Sequence, residues 1–324
     1  MLRVEGLSVR LGSAKVLEGV SFTLPGGYGV VVGPSGSGKT TLLRAIAGLV
    51  EYEGTVVFGG ARLDGLPPWE RGVALVQQVP GLLPHMSVLD NVALAAVQRR
   101  GLSWAEARRL ARRLLEELGL EGLEARGPTE LSGGQQQRAA IAAALATGAQ
   151  LLLLDEPLSH LDRLTSEVLR GLLRKLTGMG VTVLHVTHDL DEALTLGEYI
   201  VVLHSGRVVT EGPLDEVYRC PRSIEAAKLL GHGVLDADLL GLGEGLVSVA
   251  PDYVRLRPGR GEWLVESVTR ERGRVRVTAR HVSGRGVLHA YHSASEDYPV
   301  PGERAEPILL SRPCRLEPQR RQGP

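Results

Sequence analysis

The chain has 324 residues, enough for two domains or one large domain with an appendage. At 43% hydrophobic and 23% charged it can bury a sizeable core. Lys+Arg and Asp+Glu are equal at 37 each, which removes any electrostatic argument for nucleic acid or an anionic bilayer as a direct partner. The opening Met1-Leu2-Arg3-Val4-Glu5 lacks the apolar core of a signal peptide. No apolar run approaches the ~20 residues that span a bilayer, so a membrane role is expected only through a bound partner, with the chain in the cytosol. Cys220 and Cys314 lie far apart in no metal-type spacing and are expected to be unpaired thiols.

In chain order, Leu2–Val9 and Val16–Leu24 read as strands around a turn at Gly12-Ser13. Gly29–Val32 is a β-branched run leading into a glycine-rich loop, and a helix is predicted from Lys39 to Ala47, stopped by Gly48. Thr55–Phe58 and Gly72–Val76 read as strands. The stretch from Ser87 to Leu120 has helical periodicity, with a capping box at Ser103-Trp104-Ala105-Glu106. Leu151–Leu154 and Val181–Val186 are short apolar runs flanking a helix near Asp162–Leu176, the rhythm of a parallel α/β sheet. Tyr199–Leu203 and Arg207–Thr210 pair across Ser205-Gly206. Gly233 to Gly245 reads as a linker, and from Val247 onward short alternating runs predict a small all-β domain.

Three motifs carry chemistry. Gly33-Pro34-Ser35-Gly36-Ser37-Gly38-Lys39-Thr40 matches the P-loop pattern between a predicted strand and a predicted helix. Its glycines let successive N–H groups converge on one anion, and the following helix adds its positive end. Lys39 suits the β- and γ-phosphates of ATP, the Thr40 hydroxyl suits Mg²⁺, and Thr41 reaches the α-phosphate. Asp155 and Glu156 end the four-leucine strand, where ligands of open α/β sheets bind. Asp155 suits Mg²⁺, and Glu156 suits polarising the water that attacks the γ-phosphate. Leu131-Ser132-Gly133-Gly134-Gln135 opens a helix, a further anion site.

In this order the three motifs resemble the ATP-binding cassette (ABC) family, whose signature Leu131–Gln135 matches. The likeness extends to Gln78 at the Q-loop, Ser159-His160-Leu161-Asp162 at the D-loop and Val186-Thr187-His188-Asp189 at the switch histidine, and runs from Val4 to Leu230. The resemblance implies an α/β P-loop NTPase with a RecA-like parallel sheet, an antiparallel β subdomain and a helical insert at 86–145. It further implies a nucleotide-binding domain over 1–232, an OB-like all-β accessory domain over 233–316 and a disordered tail over 317–324. Implied roles are Mg²⁺ and water sensing for Gln78, a γ-phosphate contact for His188, and adenine contacts for Leu11 and Val16. Ser35, Gly36, Ser37 and Gly38 line the phosphates. Leu131, Ser132, Gly133, Gly134 and Gln135 would touch ATP bound to a second copy in a head-to-tail pair, and Asp162 would communicate across it. At Leu11 the family usually has an aromatic. Integral membrane permeases are the implied partners, with a solute-binding protein acting indirectly and no nucleic acid, at the cytoplasmic face of the membrane. The implied function is ATP-driven solute uptake. The alternatives are a soluble ABC ATPase of translation or DNA repair, which usually has two cassettes or a coiled-coil insertion, and an exporter, for which the β appendage is atypical.

Other polar residues are expected to be structural. His185 reads as core. His289 and His292, near Asp297, read as a surface strand, and Arg270, Arg272, Arg274, Arg276 and Arg280 as a solvated strand face.

Overall fold

The computed structural model describes residues 1–159, 161–178, 180–271 and 274–316. Two compact units emerge, Met1–Val208 and Val209–Pro324. The sequence reading places its boundary at 232; by contact the division falls earlier, and two short helices join the second unit.

In the first unit the elements are β1 (Leu2–Leu11), β2 (Ala14–Leu24), β3 (Tyr28–Val32), α1 (Lys39–Ala47), β4 (Glu53–Phe58), β5 (Ala61–Arg62), β6 (Val73–Val76), α2 (Val88–Arg100), α3 (Trp104–Glu117), α4 (Gly133–Ala146), β7 (Leu151–Asp155), α5 (Arg163–Gly178), β8 (Thr182–Thr187), α6 (Leu190–Leu196), β9 (Tyr199–His204) and β10, which begins at Arg207 and runs to Pro213. An antiparallel sheet runs β2-β1-β4-β5, and a second sheet runs β10-β9-β3-β8-β7-β6. In that second sheet β6, β7, β8, β3 and β9 are all parallel. Both faces of its centre are covered, so β3, β7 and β8 are buried at every position. Each leucine of Leu151–Leu154 is at most 1% exposed and contributes roughly 1.5–3 kcal/mol by leaving water. One core cluster joins both sheets through Leu17, Phe22, Leu42, Ile46, Leu153 and Leu184.

Helix α1 is held at its carboxyl end. Gly48 closes it in the left-handed conformation, and the buried Arg71 donates from Nη1 to the Ala45 and Ile46 carbonyls at 3.1 and 3.0 Å. The predicted insert resolves into α2, α3 and α4. Ser103 and Glu106 form the expected capping box on α3, which buries Ala107, Ala111, Leu114 and Leu115.

The second unit starts with α7 (Leu214–Arg219) and α8 (Ile224–Leu229), followed by β11 (Gly233–Asp236), β12 (Leu246–Val249), β13 (Val254–Glu271), β14 (Arg274–His281), β15 (Val287–Ser293), β16 (Arg304–Leu309) and β17 (Cys314–Arg315). These strands form two antiparallel sheets, β11-β12-β17 and β15-β14-β13-β16. Trp263, Val265, Val277 and Leu288 lie in their shared core.

Three expectations change here. The glycine-rich stretch from 233 is not a loose linker, because Gly233–Asp236 pairs with Leu246–Val249 as a strand. His292 is buried rather than on a surface strand; its Nε2 accepts from the Leu256 amide at 3.3 Å, while His289 meets the Thr278 hydroxyl at 3.1 Å. Cys220 and Cys314 are not free thiols but a disulfide, their Cα atoms 5.1 Å apart across 94 residues of sequence. The β12–β17 pairing returns Cys314 to the end of α7, a juxtaposition that linear spacing cannot announce. The arginine row behaves as read: Arg274, Arg276 and Arg280 pair with Asp252, Glu271 and Glu266. Arg272 and the tail at 317–324 lie outside the described residues.

Candidate nucleotide site

Parallel neighbours bring their carboxyl ends to one edge of a sheet. In register, Val32 of β3 faces Thr187 of β8, and Asp155 of β7 faces Val186 of β8. The segments that follow these strands therefore leave from adjacent points. They are the 33–38 loop, the Asp155-Glu156 pair and His188. Val76 of β6 faces Leu154, which sets Gln78 beyond the same edge.

The loop curls because glycine permits it. Gly38, the N-cap of α1, sits at φ 100°, where a side chain is strained, and an added Cβ would overlap Leu17. Lys39 is 6% exposed, and its Nζ donates to the Gly33 and Pro34 carbonyls at 2.8 and 3.0 Å. Burial lowers its pKa, and the nearby Glu156 and Asp155 charges oppose that shift. Ser37 Oγ is buried with no hydrogen-bond partner in the structure, a donor left for an outside acceptor.

Thr40 Oγ1 donates to Asp155 Oδ1 at 2.9 Å. Burial raises the Asp155 carboxyl pKa, with the Thr40 hydrogen bond opposing it. A hydroxyl and a carboxylate together at a phosphate loop are hard oxygen donors, a set that fits Mg²⁺. Glu156 adopts φ 46°, unusual for a residue with a side chain and costing roughly 1–3 kcal/mol. Three bonds hold it there. Its amide donates to Val186 O at 3.0 Å, and its carbonyl accepts from Ser159 N at 3.1 Å and Ser159 Oγ at 2.7 Å. The carboxylate lies 3.1 Å from His188 Nδ1, and the His188 side chain is 57% exposed. Gln78 Nε2 donates to Ser159 Oγ at 3.1 Å, so Ser159 joins the glutamine loop to Glu156. No sequence signal singled out that role for Ser159.

The signature lies on α4. Ser132 is its N-cap, closing a capping box with Gln135: Ser132 N donates to Gln135 Oε1 at 2.9 Å. Gly134 is glycine because a Cβ there would overlap the Thr165 side chain of α5. Gly133 is exposed, and Leu131 is buried beneath the cap. Asp162 caps the start of α5, accepting from Thr165 N at 3.0 Å and Thr165 Oγ1 at 2.6 Å. Leu11 is 50% exposed at the end of β1, and Val16 is half-buried in β2. Ser35 and Gly36 are exposed in the loop, and Thr41 is half-buried in the first turn of α1.

A buried lysine in a glycine loop, an acidic pair on the next-but-one strand and a histidine between them define a P-loop nucleoside triphosphatase. The ABC transporter family profile matches residues 17–159. The chain is 40% identical to a molybdate/tungstate import ATP-binding protein of Thermococcus kodakarensis, over 86% of this chain and 81% of that one. It is 45% identical to an Fe(3+) ions import ATP-binding protein of Streptomyces avermitilis, over 71% and 68% of the two chains. Among solved structures, the dimeric post-hydrolysis state of the ATP-binding cassette MJ0796 bound to ADP and Pi superposes with TM-score 0.60 and 34% identity, covering 66% of this chain and 99% of that one. The protein belongs to the ABC transporter ATP-binding family and is an ABC-type ATPase.

Proposed function

We propose that this chain is the ATP-hydrolysing subunit of an importer, working as a head-to-tail pair beneath membrane permeases. The convergence of Lys39, Asp155, Glu156 and His188 on one sheet edge carries the hydrolytic part of this reading. Relatives named as import proteins over most of the chain support the uptake part.

Lys39 exchanges its two carbonyl acceptors for β- and γ-phosphate oxygens, and Ser37, Gly38 and the first amides of α1 complete the cradle. Thr40, Asp155 and Gln78 would hold Mg²⁺, which supplies charge neutralisation across the β- and γ-oxygens. Glu156 orients the attacking water and takes its proton. His188 spans Glu156 and the γ-phosphoryl group, through Nδ1 and Nε2 respectively. Ser132 and its neighbours on α4, exposed at the helix start, meet the nucleotide held by the second copy, and Asp162 lies at that seam. The dimeric cassette among the structural neighbours supports this pairing.

A groove of about 550 Å³ in the first unit is lined by Trp69, Val76, Leu82, Ala95, Ala140 and Ala144, among others. Asn91 braces the segment that follows Leu82, accepting from Leu83 N and donating to the Leu83, Met86 and Ser87 carbonyls. The 79–100 surface beside the groove is the docking face assigned to the permeases. Among the described residues no helix is long and apolar enough to cross a membrane. The location that follows from this reading is the cytoplasmic face of the membrane, with a solute-binding protein on the other side.

The test is reconstitution with a permease and a solute-binding protein found among the neighbouring genes. Phosphate release is expected to require Mg²⁺ and to rise several-fold when binding protein loaded with molybdate, tungstate or Fe(III) is added. Release indifferent to every loaded binding protein would reject uptake, and the absence of Mg-ATP hydrolysis would reject the site.

Leucine at position 11 offers the adenine apolar contact without π-stacking. Leu11→Tyr is expected to tighten ATP binding by about 0.5–1.5 kcal/mol, roughly 2- to 10-fold in Kd by titration calorimetry. An unchanged or weaker affinity would exclude Leu11 from the base pocket.

A further inference from the structure

His188 is more than half exposed, and among the described residues its side chain meets Glu156, which directly follows a separate strand. What aims it is therefore the backbone on either side, and that backbone is bound to a buried polar group the mechanism above does not use. Glu192, in the first turn of α6, is 7% exposed. Its Oε2 accepts from Thr187 Oγ1 at 2.8 Å. The same hydroxyl accepts from the Asp189 amide at 3.0 Å. Thr187 has one proton to give, so the carboxylate orients the hydroxyl and turns a lone pair toward residue 189. Asp189 closes the ring, its Oδ1 accepting from the Asp191 and Glu192 amides at 2.8 and 3.4 Å. The residues before and after His188 are thus joined to each other and to one buried carboxylate.

A second layer lies beneath this ring. His185, two residues before Thr187 on β8, shares its face of the strand and is fully buried. Its Nδ1 meets Tyr28 OH at 3.1 Å, and its Nε2 lies 3.6 Å from Glu192 Oε2 without forming a hydrogen bond. The imidazole fills the space behind the carboxylate, so Glu192 cannot swing away from Thr187 without leaving a buried charge unpaired.

We infer that Glu192 is a positioning residue for hydrolysis, acting through Thr187 to fix His188 on the γ-phosphoryl group. This rests on the reading of His188 as the γ-phosphate contact. The hydrogen bonds of the ring go to no residue of the phosphate loop, so its loss is expected in the chemical step rather than in nucleotide affinity.

The test is phosphate release by the full chain, with kcat and KM for Mg-ATP separated. Thr187→Val is isosteric but lacks the hydroxyl, and is expected to lower kcat about tenfold or more with KM within roughly twofold. Thr187→Ser, which keeps the hydroxyl, is expected to restore kcat to within roughly threefold. Glu192→Gln, whose amide oxygen still accepts, should keep more turnover than Glu192→Ala. In a His188→Ala background, Thr187→Val should cost less than about twofold further, because the group it positions is already absent. Parent-like turnover by Thr187→Val beside a crippled His188→Ala overturns the inference alone. So does a loss that Thr187→Ser fails to rescue, or one that persists in full without His188. Parent-like turnover by His188→Ala itself overturns the reading of His188, and the inference with it.

Discussion

Glu156→Gln is expected to bind ATP at close to the parent affinity while releasing phosphate at least about 100-fold more slowly. The substitution keeps size and the backbone bonds that hold residue 156 at φ 46°, to Val186 O and from Ser159 N and Oγ. It also keeps an oxygen for His188 Nδ1, now 3.1 Å from the carboxylate. What it removes is the proton acceptor. Binding rests on Lys39, the loop amides and Thr40, none of which changes. Bound but unhydrolysed ATP holds the pair closed, because only differential affinity of nucleotide for closed and open states drives the movement. Gel filtration with Mg-ATP should therefore show a persistent dimer for Glu156→Gln and a transient one for the parent. Near-parent phosphate release by this variant would move the base to another residue.

Reducing the Cys220–Cys314 disulfide is expected to destabilise the second unit by roughly 4–5 kcal/mol. The bridge closes a loop of 94 residues, and its entropic worth grows with the logarithm of that length. It ties the end of α7 to β17, a two-residue strand whose only neighbour among the described residues of its sheet is β12. Without it, that strand keeps its pairing with β12, the buried Leu316 and the Arg315 hydrogen bonds to the Glu244 and Leu242 carbonyls at 2.9 and 2.8 Å. For a unit of this size the loss corresponds to a fall of ~15–30 °C in the unfolding midpoint. Calorimetry of the whole chain with and without reductant reads it directly, and Cys220→Ser with Cys314→Ser should reproduce the reduced trace. A midpoint that moves by less than about 5 °C would show that those contacts hold β17 without the bridge.

Much of the catalytic edge was legible beforehand because its residues are consecutive. A loop that must wrap one anion needs glycines and a lysine within eight residues, and α1 runs from Lys39 to Ala47 as read. Asp155 and Glu156 could be placed at a strand end from the four leucines before them, a short bounded apolar run that suits a strand covered on both faces. The α3 capping box was legible for the same reason, being a bond between residues three apart.

Pairings that residue type does not announce were not legible. Ser159 as the link between Gln78 and Glu156, and Glu192 as the anchor of Thr187, use residue types that serve equally well as turn and helix-surface residues. Gly233 read as flexibility, yet it is glycine because a side chain would overlap the Val287 carbonyl on a neighbouring strand. The alternation that suggested a surface strand around His289 and His292 held, but the face carrying His292 turns inward.

By itself the sequence determined the enzyme class and the local chemistry, because phosphate binding, capping and strand burial are written in neighbouring residues. Tertiary structure alone decided which strand ends meet, which cysteines bond and which polar groups brace His188. Strand ends and cysteines meet through register and packing between residues far apart in sequence, Thr40 and Asp155 by 115 residues and the cysteines by 94, whereas the groups around Thr187 lie within five residues but are of types that serve equally well on a helix surface.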